Sequence, residues 1–249
     1  MAVTASPDQQ QALLDLQGLD TKLLQLKHKR AGSPEISQAQ DLEVELGSIK
    51  MRLVAAKTET SDLKLNQLKA ESDVEQVVAR AKRDQDRLDA GAVSAAKELE
   101  SLQHEIATLA KRQAELEDIE LEIMQQYEDA QQAVIDLEAD EIAITEKLAQ
   151  VTQARDDAFA DIDFESNSII QQRTELSSGL PGDLIALYDK IRADHDGIGA
   201  ALIHRGSCQG CHITIDAQEI DHIRNLAPDA IARCDQCRRI LVRTSESGL

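Results

Sequence analysis

The chain has 249 residues, of which 2% are aromatic and none is tryptophan, so it lacks the bulky side chains that normally fill the central core of a globular domain this long. Its 27 basic and 46 acidic residues give a net charge of −19, which repels nucleic acid and anionic lipid over the general surface. No apolar run approaches the roughly 20 residues that span a bilayer, and the start, MAVTASPDQQ, has neither the basic end nor the apolar stretch of a signal peptide; the expected setting is cytoplasmic, with no membrane partner.

The first element begins at Ser6-Pro7-Asp8-Gln9, where Ser6 suits an N-cap, Pro7 the first helical position and Gln9 the closing residue of a capping box. This predicts a helix over 7–30. Ala31-Gly32-Ser33 interrupts it, and Ser33-Pro34-Glu35 repeats the cap-then-proline signal for a second helix over 35–88. From Ala39 the apolar positions alternate by three and four, through Leu42, Leu46, Ile49, Leu53 and Ala56, and on to Leu88. A second row runs from Ala95 through Leu99, Leu102 and Ile106 to Leu176, with no proline between Glu35 and Leu180. A 3.5-residue spacing sustained this long is the signature of a coiled coil, whose thin seam is filled by Leu, Ile, Val and Ala. Gly91 marks the hairpin tip near 89–93, and the return helix is predicted over 94–177.

At 1.5 Å per residue the return arm is about 125 Å long and the two outgoing pieces sum to about 117 Å. The arms match, so the N-terminus should lie beside the start of the C-terminal region, with the 31–33 break opposite residues near 150. Polar seam residues (Thr60, Gln67, Glu120, Glu141, Arg155) set register at some cost in stability, and Gly47 weakens its helix by roughly 1 kcal/mol relative to Ala. The bases near the tip (Arg80, Lys82, Arg83, Arg87, Lys97) read first as a solvated helix face.

Ser177-Ser178-Gly179-Leu180-Pro181-Gly182 divides a hairpin domain, residues 1–178, from a second domain, residues 179–249. The second opens with a short helix over 183–194, whose apolar face (Leu184, Leu187, Tyr188, Ile191) should pack on the rest of that domain or on the hairpin base. Residues 197–249 balance six acids with six bases, all Arg, so the charge deficit lies in the preceding residues.

All four cysteines lie in this last segment, as Cys208-Gln209-Gly210-Cys211 and Cys234-Asp235-Gln236-Cys237. Two residues between cysteines let one tight turn aim both thiolates at one ion, and two such knuckles make a tetrahedral S₄ set, the standard ligand set of a structural zinc. Gly210 eases the first turn. The alternative, a thioredoxin-type redox dithiol, needs one such pair at a helix start rather than two facing pairs. The runs 200–204, 212–215, 230–233 and 239–243 are β-prone, so each knuckle should top a hairpin, with a short helix capped by Asp216 and ending near Asn225. A unit of about 50 residues needs the metal for much of its stability. With four thiolates the ion has no open position, which argues against catalysis and a small-molecule substrate, and leaves His204, His212 and His222 to surface or supporting roles.

The segment LPGDLIALYDKIRADHDGIGAALIHRGSCQGCHITI, with CDQCRRILV further along the chain, resembles the bacterial C4-type zinc ribbon family, whose members carry a long N-terminal coiled-coil hairpin. The resemblance implies a mainly α fold with a small C-terminal β zinc ribbon, one zinc held by Cys208, Cys211, Cys234 and Cys237, and an adaptor role with proteins, RNA or DNA as partners. Arg238 departs from the glycine common at that place in such knuckles, and a positive φ there would strain it mildly.

The residues support two readings of function. In the first, the acidic coil is a surface for protein partners that are basic or apolar. In the second, Arg205, Arg233, Arg238, Arg239 and Arg243 hold RNA or DNA at the ribbon. Against the second, residues 197–249 contain no aromatic for base stacking.

Overall fold

The structure is a computed structural model and describes residues 3–249. The elements run α1 (Pro7–Ala31), α2 (Pro34–Asp89), α3 (Ala96–Ser178), α4 (Gly182–Asp194), β1 (Ala200–His204), β2 (Ser207–Cys208), α5 (Ala217–Asn225), β3 (Ala232–Arg233) and β4 (Ile240–Val242). The protein is mainly α, with long helices forming a hairpin and a small C-terminal strand region. Among the described residues no helix is long and apolar enough to cross a membrane. Contacts group the chain into two compact units, one of Ser37–Thr152 and one joining the residues up to Ile36 with Gln153–Leu249.

In Ser37–Thr152, α2 and the first part of α3 run antiparallel around Ile49, Leu53, Leu137 and Ile144, with Leu42, Leu46, Ala56 and Val134 at the edges. These are residues of the two heptad rows. Lys57 pairs with Glu138 at 2.7 Å, Lys50 with Glu141 at 3.9 Å, and Arg80 with Glu105, so the register is marked by charge along the seam. At the tip Gly91 takes φ 63, Ala92 N–H donates to Arg87 C=O and Gly91 N–H to Leu88 C=O, a Schellman ending for which glycine is the favoured residue.

In the other unit, Ser6 and Gln9 form the expected capping box. Leu26 packs against Ile162 and Ile169, and Arg30 lies 4.3 Å over the Phe159 ring while pairing with Asp163. The break after α1 therefore lies opposite residues just short of Phe159 rather than near 150. The tip loop is Ala90–Ala95, and its length and position shift the pairs in that direction. The N-terminal segment returns to the C-terminal region as expected: Ala5 N–H donates to Asp229 C=O, and Thr4 bridges Ala230.

The four strands form one sheet in the order β2-β1-β4-β3, with β1 and β4 parallel and the other pairs antiparallel. Its side chains alternate between two cores, as the two-residue period of a strand requires. Ala200, Ile240 and Val242 face Leu13 and Leu16 of α1 and Leu184, Tyr188 and Ile191 of α4. Ala201, Ile203, Ala232 and Leu241 face the cysteines, Ile215 and Ile223 of α5. The apolar face of α4 thus packs on the strands and the helix pair together.

Candidate metal centre

The two knuckles share one backbone design. His212 N–H donates to Cys208 C=O at 2.7 Å, and Arg238 N–H donates to Cys234 C=O at 2.7 Å. Each turn is closed by a residue at positive φ, His212 at 59° and Arg238 at 61°. The strain foreseen at Arg238 is present, and the same conformation at His212 has no glycine-like signal in the sequence to announce it. The second knuckle tops the β3–β4 pair as expected, continued by Cys234 N–H to Arg239 C=O. The first differs. Residues 206–208 lead into it and pair with 213–215 through Cys208 N–H to Ile213 C=O and Ile215 N–H to Gly206 C=O. The run 200–204 instead pairs with β2 and with β4.

These turns bring the Sγ atoms of Cys208, Cys211, Cys234 and Cys237 within 4.8 Å of one another. Cys208 stands 3.9 Å from Cys237, and Cys211 stands 3.9 Å from Cys234. A tetrahedron of Zn–S bonds near 2.3 Å has edges of about 3.8 Å, so the donor set fits zinc, while a disulfide would need sulfurs about 2 Å apart. As free thiols the set resists ionising together. Burial pushes Cys208 up to about 12 and raises Cys234, and neighbouring thiolates add to both. Burial also acts upward on Cys237, but the N–H and guanidinium of Arg239, with the Cys234 and Cys211 thiols, bring it to about 7. A divalent cation is what allows four thiolates in one place.

The five arginines have different employments. Arg239 is buried and donates to Ile198 C=O at 3.0 Å and His195 C=O at 3.1 Å, as well as reaching Cys237. Arg243 donates to the carbonyls of Leu226, Ala227, Pro228 and Ala230, tying down the chain after α5. The half-buried Arg233 donates to Arg238 C=O. Arg205 and Arg238 remain exposed. Gly210 also has a role other than the expected one. It lies outside positive φ, and a Cβ there would stand 2.7 Å from Arg239 Cδ and 3.0 Å from Ala201 Cβ. The second knuckle carries Gln236 at the equivalent place, so the glycine makes room for Arg239 rather than for the turn.

A buried polar network seats the ribbon, and sequence reading missed it. Gln17 Oε1 accepts from Gly199 N–H at 2.7 Å and from Tyr188 O–H at 3.1 Å, while its Nε2 donates to Gly197 C=O at 2.9 Å. Tyr188 O–H also donates to Asp20 at 2.7 Å, and Asp20 pairs with Arg173 and Arg192 at 2.7 Å each. Near the tip, Arg80 and Arg87 engage Asp84, as a salt-bridged helix face would.

Residues 16–196 match the family described as CT398-like coiled coil hairpin domain, and residues 207–241 match the C4-type zinc ribbon domain. The chain is 34% identical over 236 residues to an uncharacterized protein of Mycobacterium tuberculosis, covering 94% of this chain and 95% of the relative. A solved structure from Mycobacterium smegmatis has 31% identity and a TM-score of 0.83, covering 97% of this chain and all of that one. CT398 from Chlamydia trachomatis shares the fold at 20% identity and a TM-score of 0.70, over 94% and 97% of the two chains. With the ribbon match spanning all four cysteines, the cluster is a zinc-binding site.

Proposed function

This chain belongs to the CT398-like coiled-coil hairpin family, and we propose that it works as a non-enzymatic cytoplasmic adaptor, its coil the docking surface for protein partners and its ribbon held by one structural zinc. The observation that carries the reading is the employment of the ribbon arginines. Arg239 and Arg243 spend their donors on backbone carbonyls, so they are supports of the ribbon before they are ligands for phosphate. A bound zinc supplies a cross-link between the knuckles, and four thiolates leave it no position for a substrate.

The surface of α3 supports a protein partner. Between Asp118 and Glu146 it has ten acids and no Lys or Arg, and at seven-residue spacing it exposes Ile135 and Ile142. Such a face suits a basic amphipathic helix.

The test pairs two probes on the zinc-loaded full chain. A synthetic Lys-rich amphipathic helical peptide is expected to bind, and to be lost on Ile135→Glu with Ile142→Glu. Labelled single-stranded RNA and duplex DNA are expected not to bind at physiological salt. Micromolar nucleic-acid binding that disappears with Arg205→Glu and Arg238→Glu, the two exposed arginines, would replace this reading with the nucleic-acid one.

A further inference from the structure

On α2, two of the three heptad positions that face away from the seam read Val44, Gly47, Met51, Val54, Thr58, Ser61, Leu65, Leu68 and Ser72, while the third carries Asp41, Asp62 and Lys69 along one edge of that stripe. Not one of the nine stripe residues is charged, and all nine are exposed. These are the positions of a coiled coil that ordinarily carry its charge, because they point to water. Farther along α2 they do so, as Glu75, Lys82 and Asp86, and on the opposing stretch of α3 they mix Asp118, Glu128 and Glu146 with Leu121, Ile135 and Ile142. The apolar members are large and open: Val44 is 75% exposed, Met51 71%, Val54 67%, Leu65 64% and Leu68 50%. Thr58 turns its hydroxyl back onto Val54 C=O, leaving its methyl group on the stripe. Gly47 costs helix stability, and a Cβ there would meet nothing within 4 Å, so the hairpin's own packing gives no reason for it.

We propose that this stripe is the contact surface for a second copy of the chain, the two α2 helices packing antiparallel about a two-fold axis near Ala56. Two observations choose that occupant. The first is the order of sizes. Laid antiparallel on itself, the stripe places Leu65 over Gly47, Met51 over Ser61, Val54 over Thr58 and Val44 over Leu68. Large meets small in two of four layers, Val54 meets a Thr58 of nearly its own size, every stripe residue from 44 to 68 is used, and the match reads the same from both copies, as an isologous interface requires. The second is charge. Residues 44–72 hold five bases against four acids, whereas the charged residues of the facing stretch of α3 are all acidic, so of these two faces the outer face of α2 repels another acidic chain less. On one edge Asp41 comes to Lys69 of the second copy. On the other, Lys50 meets Lys64 and Lys57 meets its own counterpart. Lys50 and Lys57 are already answered by Glu141 and Glu138 of their own α3. The stripe runs about four heptads, the length at which such a seam becomes self-sufficient. The surface is separate from the acidic face of α3, and the inference does not rest on the adaptor reading.

The test is sedimentation equilibrium of the zinc-loaded full chain over a roughly hundred-fold range of micromolar concentration. A reversible monomer–dimer equilibrium is expected. Met51→Glu and Leu65→Glu should each weaken it by about a hundred-fold or more with unchanged circular dichroism, since each would bury a charge, while Ile142→Glu on α3 leaves it intact. Register is read separately by oxidation: Ala55→Cys, beside its own counterpart across the axis, should give a cross-linked dimer, and Val44→Cys should not, with the unmodified chain as control. A chain that is monomeric throughout, a dimer indifferent to Met51→Glu and Leu65→Glu, or cross-linking through Val44→Cys equal to that through Ala55→Cys would each overturn the proposal.

Discussion

Arg238 and Gly210 stand at neighbouring corners of the two knuckles and make opposite demands. Arg238 holds φ 61, a conformation that costs an ordinary residue about 1–2 kcal/mol and glycine far less, and its side chain is exposed. Arg238→Gly should therefore keep or raise the stability of the ribbon, by up to about 1 kcal/mol in thermal or denaturant melts. Gly210→Ala should lower it by about 1–3 kcal/mol, because the new methyl group meets Arg239 and Ala201 at close range; Gln236→Ala, at the same place in the other knuckle, is the control expected to change little. If Gly210→Ala left the melt unchanged, the close-packing role assigned to that glycine would be wrong. The cysteines and the strain at Arg238 could be read from spacing alone, since a Cys-x-x-Cys turn has few backbone solutions. The task of Arg239 could not, because its partners, His195 and Ile198, lie about forty residues away.

Between elements, the Gln17–Asp20–Tyr188 network joins α1, α3, α4 and the first strand. Asp20→Ala would remove the buried carboxylate that Arg173, Arg192 and Tyr188 share and leave the two arginines with the more exposed Asp189, and a loss of about 1–3 kcal/mol is expected in denaturant unfolding. Tyr188 adds a pH dependence. Burial, and then the hydrogen bond to Asp20, raise its pKa well above the ordinary value of 10.0. Below pH 10 the hydroxyl is protonated in folded and unfolded chains alike and no slope arises. Above it the unfolded chain gives up the proton and the folded one keeps it, so stability should fall by up to about 1.4 kcal/mol per pH unit. Tyr188→Phe should cost about 1 kcal/mol at neutral pH and remove that part of the alkaline slope; an unchanged slope would mean Tyr188 is not its source. Gly18, exposed within α1 with open space around its Cα, makes the opposite case: Gly18→Ala should stabilise by up to about 1 kcal/mol. The helices themselves were legible, because their caps and heptads are local signals. The network was not: Gln17 and Asp20 look like solvent-facing residues until α4 folds over them. The parallel pairing of β1 with β4 was also hidden, since strands of two to five residues carry too little pattern to name their partners.

Across the whole molecule, sources of stability differ between the two units. Ser37–Thr152 has its own apolar seam and cross-helix ion pairs. The ribbon has one core that includes the cysteines and another shared with α1 and α4. Chelation should therefore act unevenly, and most of the helical circular dichroism should survive it. One zinc folds the ribbon while the coil stands without it, and hydrogen–deuterium exchange of the full chain before and after chelation separates the two. Peptides within 203–238 are expected to lose protection and those within 37–152 to keep it. Loss of protection throughout 37–152 would mean that the coil depends on the metal, and unchanged protection across both knuckles would mean that the ribbon does not.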